Sequence, residues 1–342
     1  MAKGKSVCVV GCGFISGLHA RGWSMIDNVD LYTCDVDEAA AKWLADAYGA
    51  KGFFTDFDTM LGEKRIDVVD LCVPHHLHEA MVSSAAKAGR DILLEKPIAR
   101  DLAEASRLSK AAEQAGVRLM IAECWEYYRP MMAARTRLEQ KAIGDVFLAT
   151  VHDSFFFQPP GWRAKKGEMG GGALLDRGIH LIHVLRSMLG EVKNIHARTS
   201  DKAVAAMQGE DTALLSMEFE SGAVGEMICS YGTHQVVDVP LFSVYGTGGT
   251  LFDHGGLHEY LFFPMRSYLG PGWANGGPAP TPDGPKLMEP TMIADMIADF
   301  AQRLDTGEPF LVTPESATKD LEIVIASYQS AESGHPVGLP LG

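Results

Sequence analysis

The chain has 342 residues, of which 46% are hydrophobic and 22% charged, and its formal net charge is −14. This length favours two domains over one, and the composition is that of an ordinary soluble globular protein. The acidic balance argues against nucleic acid or an anionic membrane as the main partner.

The chain opens on a basic stretch, MAKGKS, followed by the apolar run VCVV. This run is too short for the core of a signal peptide, and no apolar run in the sequence reaches membrane-spanning length. The six cysteines show no CxxC spacing, and we expect reduced, mostly buried thiols, with a zinc or disulfide framework as the weaker alternative. Together these features predict a cytoplasmic protein.

The first third of the chain alternates apolar strands with helical patterns. The expected strands are SVCVV, VDLYTC, DVVDLCV, DILLE and VRLMIA, and the helices between them end at glycines such as Gly49, Gly89 and Gly116. Such an alternation predicts an α/β domain with a parallel sheet that helices cover on both faces. We place this domain at residues 1–123.

The remaining residues, 124–342, are predicted to form an α+β domain. One helix leads into long strand candidates at DVFLATVHDSFFF, VKNIHARTS, DTALLSMEFE, AVGEMICSYG and VPLFSVYG, whose spacing suits an antiparallel sheet. A helix lies between the first two strands, and two helices close the chain. The segment 264–290 is rich in Pro and Gly; we expect a lid or an intersubunit arm there, or equally a poorly ordered surface loop.

A glycine loop follows the first strand and opens the first helix. In VVGCGFISG, Gly11 allows a tight turn and Gly13 lets backbone amides approach a pyrophosphate, while Ser16 stands where a third glycine is usual. Asp35 lies 22 residues after Gly13, where a carboxylate that reads the adenosine ribose is expected. An aspartate there favours NAD over NADP, although Asp35 could instead be a helix N-cap.

Two further segments carry candidate catalytic residues. Lys96, in DILLEKPIA, ends a parallel strand, where open α/β sheets bind their ligands, although it could also be an ordinary surface lysine. In GGGALLDRGIHLIH, Asp176 and His180 stand four residues apart and would share one face of a helix. Asp176 could orient His180 as a general base, or simply cap the helix. His180 and His183 alone are too few for a zinc site, and we expect no metal.

These motifs in their order resemble the Gfo/Idh/MocA oxidoreductases, which include glucose-fructose oxidoreductase and inositol dehydrogenase. The segments that carry the resemblance are GCGFISGLHA, VPHHLHEA, LLEKPIA and GGGALLDRGIHLIH. The resemblance covers almost the whole chain and implies a Rossmann domain followed by an α+β domain with an open, mainly antiparallel sheet. In relatives the corresponding Lys-Pro peptide bond is often cis, so the resemblance implies a cis bond before Pro97. Two residues depart from relatives: where this chain has His75 they usually carry Asn, and where it has His183 they often carry Asp.

The resemblance and the residue patterns together define the expected site. Catalysis is assigned to Lys96, Asp176 and His180. The expected cofactor contacts are Gly11, Gly13, Phe14, Ile15, Asp35, Cys72, Val73, Pro74, His78, Glu95, Lys96, Trp162 and Arg163. The expected substrate contacts are Lys96, Trp125, Tyr127, Arg163, Asp176, His180 and His183. Tyr128, Tyr231 and His234 are further candidates for the pocket, whereas Phe155, Phe156 and Phe157 are expected to pack in the sheet.

The resemblance implies NAD-dependent oxidation of a secondary alcohol in a sugar, sugar derivative or cyclitol. Aromatic residues around Trp125 could stack on the C–H face of such a molecule and so fit this substrate class. Two alternatives remain open. One is cleavage of a glycoside by transient oxidation and elimination, and the other is a non-catalytic NAD-binding regulator. The chain is expected to form a homodimer or homotetramer.

Overall fold

The computed structural model describes residues 4–234, 238–261 and 290–342, which form two compact units. The first unit draws its described residues from Met1–Tyr127, Gly161–Gly171 and Glu289–Leu321. The second draws its described residues from Tyr128–Pro160, Gly172–Met288 and Glu322–Gly342.

The helices and strands follow one another along the chain as two series. The first series is β1 (Lys5–Val10), α1 (Phe14–Ser24), β2 (Val29–Cys34), α2 (Glu38–Tyr48), β3 (Gly52–Phe54), α3 (Phe57–Gly62), β4 (Val68–Leu71), α4 (His78–Lys87), β5 (Asp91–Glu95), α5 (Leu102–Ala115) and β6 (Leu119–Ala122). The second series is α6 (Arg129–Glu139), β7 (Val146–Ser154), α7 (Lys166–Met169), α8 (Ile179–Leu189), β8 (Val192–Ser200), β9 (Thr212–Phe219), β10 (Val224–Ser230), β11 (Phe242–Gly246), β12 (Gly249–Asp253), β13 (Leu257–Leu261), α9 (Pro290–Thr306), α10 (Pro314–Ser333) and β14 (Val337–Gly338).

The first unit contains the predicted parallel sheet, with strand order β3-β2-β1-β4-β5-β6. Val10, the last residue of β1, pairs with Cys34 of β2 on one side and with Leu71 of β4 on the other. Strand β4 is buried along its whole length, as expected for a parallel sheet that helices cover on both faces. The order reverses between β1 and β4, which is the point where such sheets bind ligands.

Helix α9 packs against α1 in this unit, although it lies far along the chain. The rings of Trp23 and Phe300 meet edge to face with their centroids 6.0 Å apart. A Cβ on Gly22 would lie 2.8 Å from Cδ1 of Ile297, so the glycine permits the close approach of the two helices. This packing fixes α1, whose first residues border the glycine loop.

The second unit contains a sheet with strand order β13-β12-β11-β7-β10-β9-β8-β14. The pairs β10–β9, β8–β9 and β11–β7 are antiparallel, whereas β10 and β7 run parallel, so the sheet is mainly antiparallel as predicted. Helix α8 lies between β7 and β8 in the chain and packs on β7 and β10. Strands β12 and β13 were not predicted.

Several other expectations can be compared with the structure. Both predicted C-terminal helices are present, as α9 and α10. Of the Pro/Gly-rich segment 264–290, residues 264–289 lie outside the described residues, and Pro290 begins α9. All six cysteines lie in the described ranges and are free thiols, four of them buried. Among the residues that the structure describes, no helix is both long and apolar enough to cross a membrane.

Candidate functional site

The glycine loop has the geometry that a bound dinucleotide needs. Gly11 adopts a φ of +85°, and a Cβ there would overlap the backbone oxygen of Cys72. Around Gly13, by contrast, a Cβ would meet no described atom within 4 Å, so the start of α1 is open. Ser16 is fully buried, and its hydroxyl donates to the Gly13 carbonyl oxygen at 2.5 Å. Serine therefore fits the third position of the motif.

The Asp35 side chain is held at the end of β2 by backbone amides. Its carboxylate accepts from the Cys12 amide at 2.6 Å and from the Asp37 amide at 2.8 Å. Asp37, not Asp35, caps α2, because its side chain accepts from the amides of Ala39 and Ala40. The N-cap alternative for Asp35 is therefore wrong, and its carboxylate lies beside the glycine loop.

A cavity runs along the carboxyl ends of β2, β1, β4 and β5 in the first unit. Its lining residues are Gly11, Cys12, Gly13, Phe14, Ile15, Asp35, Cys72, Val73, Pro74, His75, Glu95, Lys96, Trp162 and Arg163. The cavity thus brings together all but one of the predicted cofactor residues, and it adds Cys12 and His75. The open backbone at Gly13, the amides at the start of α1 and the Asp35 carboxylate fit the pyrophosphate and ribose of a dinucleotide.

His78 is the predicted cofactor residue that does not line the cavity. It is fully buried, and its two ring nitrogens lie 3.0 Å from the Pro97 carbonyl oxygen and 3.1 Å from that of Val73. Burial lowers the pKa of His78, so the ring is neutral and has one N–H to donate. The neutral ring donates to only one of these two oxygens, and the contact of His78 with the cofactor stays a prediction.

Lys96 follows β5 directly and is half-buried on the cavity wall. The peptide bond to Pro97 is cis, as the resemblance implied. The Trp162 and Arg163 side chains also line the cavity, with the guanidinium 4.4 Å from the centre of the Trp162 ring. The His75 ring packs edge-on against Trp162 at 4.6 Å, and its Nδ1 lies 2.8 Å from the Met169 carbonyl oxygen.

A buried cluster of charged residues adjoins this cavity and was not predicted. Nδ1 of His19 lies 2.9 Å from Oδ2 of Asp70, and its Nε2 lies 3.0 Å from Oε1 of Glu95. Asp70 also accepts from the Trp23 indole at 2.7 Å. His19, Asp70 and Cys72 have potential metal ligand atoms within 4.8 Å of one another. Because both nitrogens of His19 face carboxylates, we interpret this group as a hydrogen-bonded cluster.

In the second unit, Gly172 begins the turn that leads to Asp176. A Cβ on Gly172 would overlap the backbone of Glu210, so the triple glycine is the predicted close-approach turn. The Glu210 carboxylate accepts from the amides of Gly172 at 3.1 Å and Leu174 at 2.9 Å, and from the Tyr328 hydroxyl at 2.9 Å. Burial raises the pKa of Glu210. Glu210 thus holds the start of this turn, a role that the sequence did not reveal.

Asp176 lies in a π-helical turn, Leu174–Gly178, which continues into α8. Its carboxylate accepts from the Tyr231 hydroxyl at 2.8 Å, so Asp176 is not a helix cap. Burial, followed by the Asp176 charge, raises the pKa of Tyr231, so the phenol stays protonated as a donor. His180 and His183 are buried on α8. Turns of this kind are frequent at functional sites.

The aromatic residues expected to contact substrate have different surroundings. Tyr127 belongs to the hydrophobic core of the first unit, and its hydroxyl donates to Asp299 at 2.7 Å; its role in substrate binding stays a prediction. Trp125 is buried in the same unit. The Tyr128 hydroxyl donates to Asp253 at 2.5 Å in the second unit.

The phenylalanines after β7 only partly match the expectation. Phe155 and Phe157 pack against the Tyr231 ring, with centroid distances of 5.4 and 5.1 Å. Phe156 is 45% exposed and stacks on His234 at 4.0 Å, so it is not a packed residue of the sheet.

Comparisons with known proteins identify both halves of the chain. Residues 5–123 match the model of the oxidoreductase family's NAD-binding Rossmann fold, and residues 135–339 match the model of its C-terminal alpha/beta domain. A D-apiose dehydrogenase of Paraburkholderia graminis is 32% identical over 71% of this chain and 66% of its own length. A myo-inositol 2-dehydrogenase of Thermotoga maritima is 27% identical over 97% of each chain.

A solved structure agrees with these matches. GenD2 from gentamicin A biosynthesis, in complex with NAD, is 28% identical and superposes with a TM-score of 0.82 over 100% of this chain and 98% of its own. The two family matches together span nearly the entire sequence, so the chain belongs to the Gfo/Idh/MocA oxidoreductase family.

Proposed function

We propose that this chain is an NAD-dependent dehydrogenase that oxidises a secondary alcohol of a sugar, a sugar derivative or a cyclitol. Relatives named as D-apiose, levoglucosan and myo-inositol dehydrogenases support this substrate class. The observation that carries the proposal is the position of Lys96, on the wall of the cavity that begins at Gly11 and Asp35.

Each proposed catalytic group has a role that suits its chemistry. Bound in this cavity, NAD+ would supply the acceptor for a hydride from the reacting carbon. The Lys96 ammonium donates a hydrogen bond to the substrate oxygen and polarises it. His180 takes the hydroxyl proton, since an imidazole can exchange protons near neutral pH. Asp176 orients the His180 ring, and the Tyr231 hydroxyl holds the Asp176 carboxylate at 2.8 Å.

The other proposed contacts follow from the cavity. The α1 amides and Gly13 would hold the pyrophosphate, and Asp35 would hold the adenosine ribose. Trp162 and Arg163, which line the same cavity as Lys96, would contact the cofactor as well. His183 and Trp125 remain candidate substrate contacts.

The experiment is a screen for reduced-nicotinamide absorbance across sugars and cyclitols, with NAD+ and NADP+ tested in parallel. We expect net NADH formation with at least one polyol and a preference for NAD+. A preference for NADP+ would contradict the role of Asp35. Product formation without net NADH would instead support the transient-oxidation mechanism.

We also propose that the chain self-associates through the outer face of the second unit's sheet. Leu214 of β9 pairs with Ile228 of β10, and Leu214 and Val224 on this face are 44% and 47% exposed. Sedimentation should give a dimer or tetramer that Leu214→Glu weakens. A control, Trp43→Glu, changes a residue that is 62% exposed in the other unit and should leave the assembly intact. A monomeric wild-type protein would refute this proposal.

A further inference from the structure

The His19–Asp70–Glu95 cluster runs from the core of the first unit to the wall of its cavity. His19 and Asp70 are fully buried, whereas Glu95 lines the cavity beside Lys96. The proposed dehydrogenase mechanism uses none of these three side chains. Burying three ionisable groups is costly unless their charges and hydrogen bonds compensate one another.

The geometry requires one extra proton in the cluster. A neutral imidazole has a single N–H, yet both nitrogens of His19 lie within 3.0 Å of a carboxylate oxygen. Burial opposes a charged ring, but the Asp70 carboxylate raises the pKa of His19 well above its ordinary value. His19 is therefore an imidazolium that donates to both carboxylates. The three groups together carry one net negative charge.

The strand order locates Glu95 along the cavity. Asp35 follows β2 and Glu95 ends β5, and the order β2-β1-β4-β5 separates them by three strand spacings, about 14 Å. If Asp35 binds the adenosine ribose, the nicotinamide half of the cofactor extends toward β5. The ring in NAD+ carries a positive charge that is lost on reduction to NADH.

We infer that the His19–Asp70–Glu95 cluster holds a fixed negative charge at the nicotinamide end of the cavity and thereby favours binding of NAD+ relative to NADH. Glu95 presents the charge at the cavity wall, and His19 is a positioning residue that orients this carboxylate. The inference depends on the proposed cofactor site but not on the identity of the substrate. Lys96 carries the opposite charge at the same end of the cavity, so the variants used in the test keep this lysine.

The test measures the dissociation constants of NAD+ and NADH separately by calorimetry. Glu95→Gln preserves the shape of the side chain and removes its charge. We expect it to weaken NAD+ binding about tenfold more than NADH binding, the effect of a unit charge at roughly 10 Å in an effective dielectric of about 20. His19→Gln should shift the ratio less than Glu95→Gln does, because the two neighbouring buried carboxylates then share a proton and the net charge of the cluster stays the same.

Trp23→Phe is the matched control. It removes the indole N–H that donates to Asp70 but keeps all three ionisable side chains, so the ratio of the two dissociation constants should stay within about twofold of wild type. Equal weakening of NAD+ binding and NADH binding in Glu95→Gln would show a merely structural role and overturn the inference. A variant that prefers NAD+ over NADH more strongly than the wild type does would also overturn it. Should His19→Gln fail to fold, Glu95→Gln alone decides.

The two proposals fail in different ways. If the wild-type protein bound neither NAD+ nor NADH, the cofactor site itself would be refuted and the inference with it. If it bound both and the ratio did not respond to Glu95→Gln, only the role of the cluster would be wrong.

Discussion

The two glycines of the cofactor loop should respond to alanine in opposite ways. In Gly11→Ala, the new methyl group enters a backbone with a φ of +85° and overlaps the Cys72 carbonyl. That carbonyl cannot easily move, because the Cys72 amide donates to the Val10 oxygen at 2.8 Å between β4 and β1. In Gly13→Ala, φ is −87° and the methyl group meets no described atom within 4 Å.

These structural differences set the expected loss of stability and of NAD+ binding in each variant. A left-handed backbone conformation costs an ordinary residue about 1–2 kcal/mol, and overpacking in a tight space adds about 1–3 kcal/mol. Gly11→Ala should therefore lower the free energy of unfolding by about 2–5 kcal/mol. Gly13→Ala loses only the small advantage of glycine over alanine at an N-cap, less than about 1 kcal/mol. Its methyl group instead occupies the space where the pyrophosphate would approach, so NAD+ binding should weaken at least about tenfold.

Denaturant unfolding and NAD+ calorimetry on both variants test this pair of predictions. The reasoning fails if Gly13→Ala destabilises the fold as much as Gly11→Ala does. It also fails if Gly13→Ala binds NAD+ as tightly as the wild-type protein, because the open space above the loop would then not be the cofactor site.

Three more predictions follow from single side chains. Asp35→Asn should weaken NAD+ binding about tenfold and reduce discrimination against NADP+ in paired titrations, since the repelling charge is gone; unchanged discrimination would contradict the ribose contact. Tyr231→Phe removes a hydrogen bond to the charged Asp176 and should lower kcat about tenfold or more with little change in KM; a change in KM alone would argue for a direct substrate contact. Because the folded pKa of His19 is raised, its contribution to stability is complete below pH 6.5, the ordinary imidazole value. This contribution to stability decreases as the pH rises above that value and through the folded pKa of His19, by up to about 1.4 kcal/mol per pH unit. Denaturant unfolding across this range should show the decline in wild type and not in His19→Gln; parallel profiles would contradict a charged His19.

The features predicted correctly from the sequence are those that local patterns encode. The glycine loop, Asp35 and Lys96 sit at fixed distances from apolar strands, so strand ends and motif spacing were enough to place them on one edge of the sheet. The same holds for β7 and β9, whose alternating burial matches their sequence pattern.

The features that escaped prediction depend on contacts between distant residues. His19 meets Asp70 and Glu95 across 51 and 76 positions, and no spacing rule connects a helix residue with two strand residues. Glu210 holds a turn 36 to 38 positions earlier in the chain. The Tyr127 hydroxyl has Asp299 on α9 as a partner, and the packing of α9 against this unit was not evident from sequence.

The most direct test of the proposed function is turnover with NAD+ and the best polyol from the screen, measured for wild type, Lys96→Met and His180→Asn. The account predicts that both variants fold and that His180→Asn binds NAD+ within about threefold of wild type. Both should lose about 100-fold or more in kcat, the usual contribution of a positioned acid–base group. Net NADH formation at an undiminished rate in either variant would contradict the assignment of that residue to the reaction.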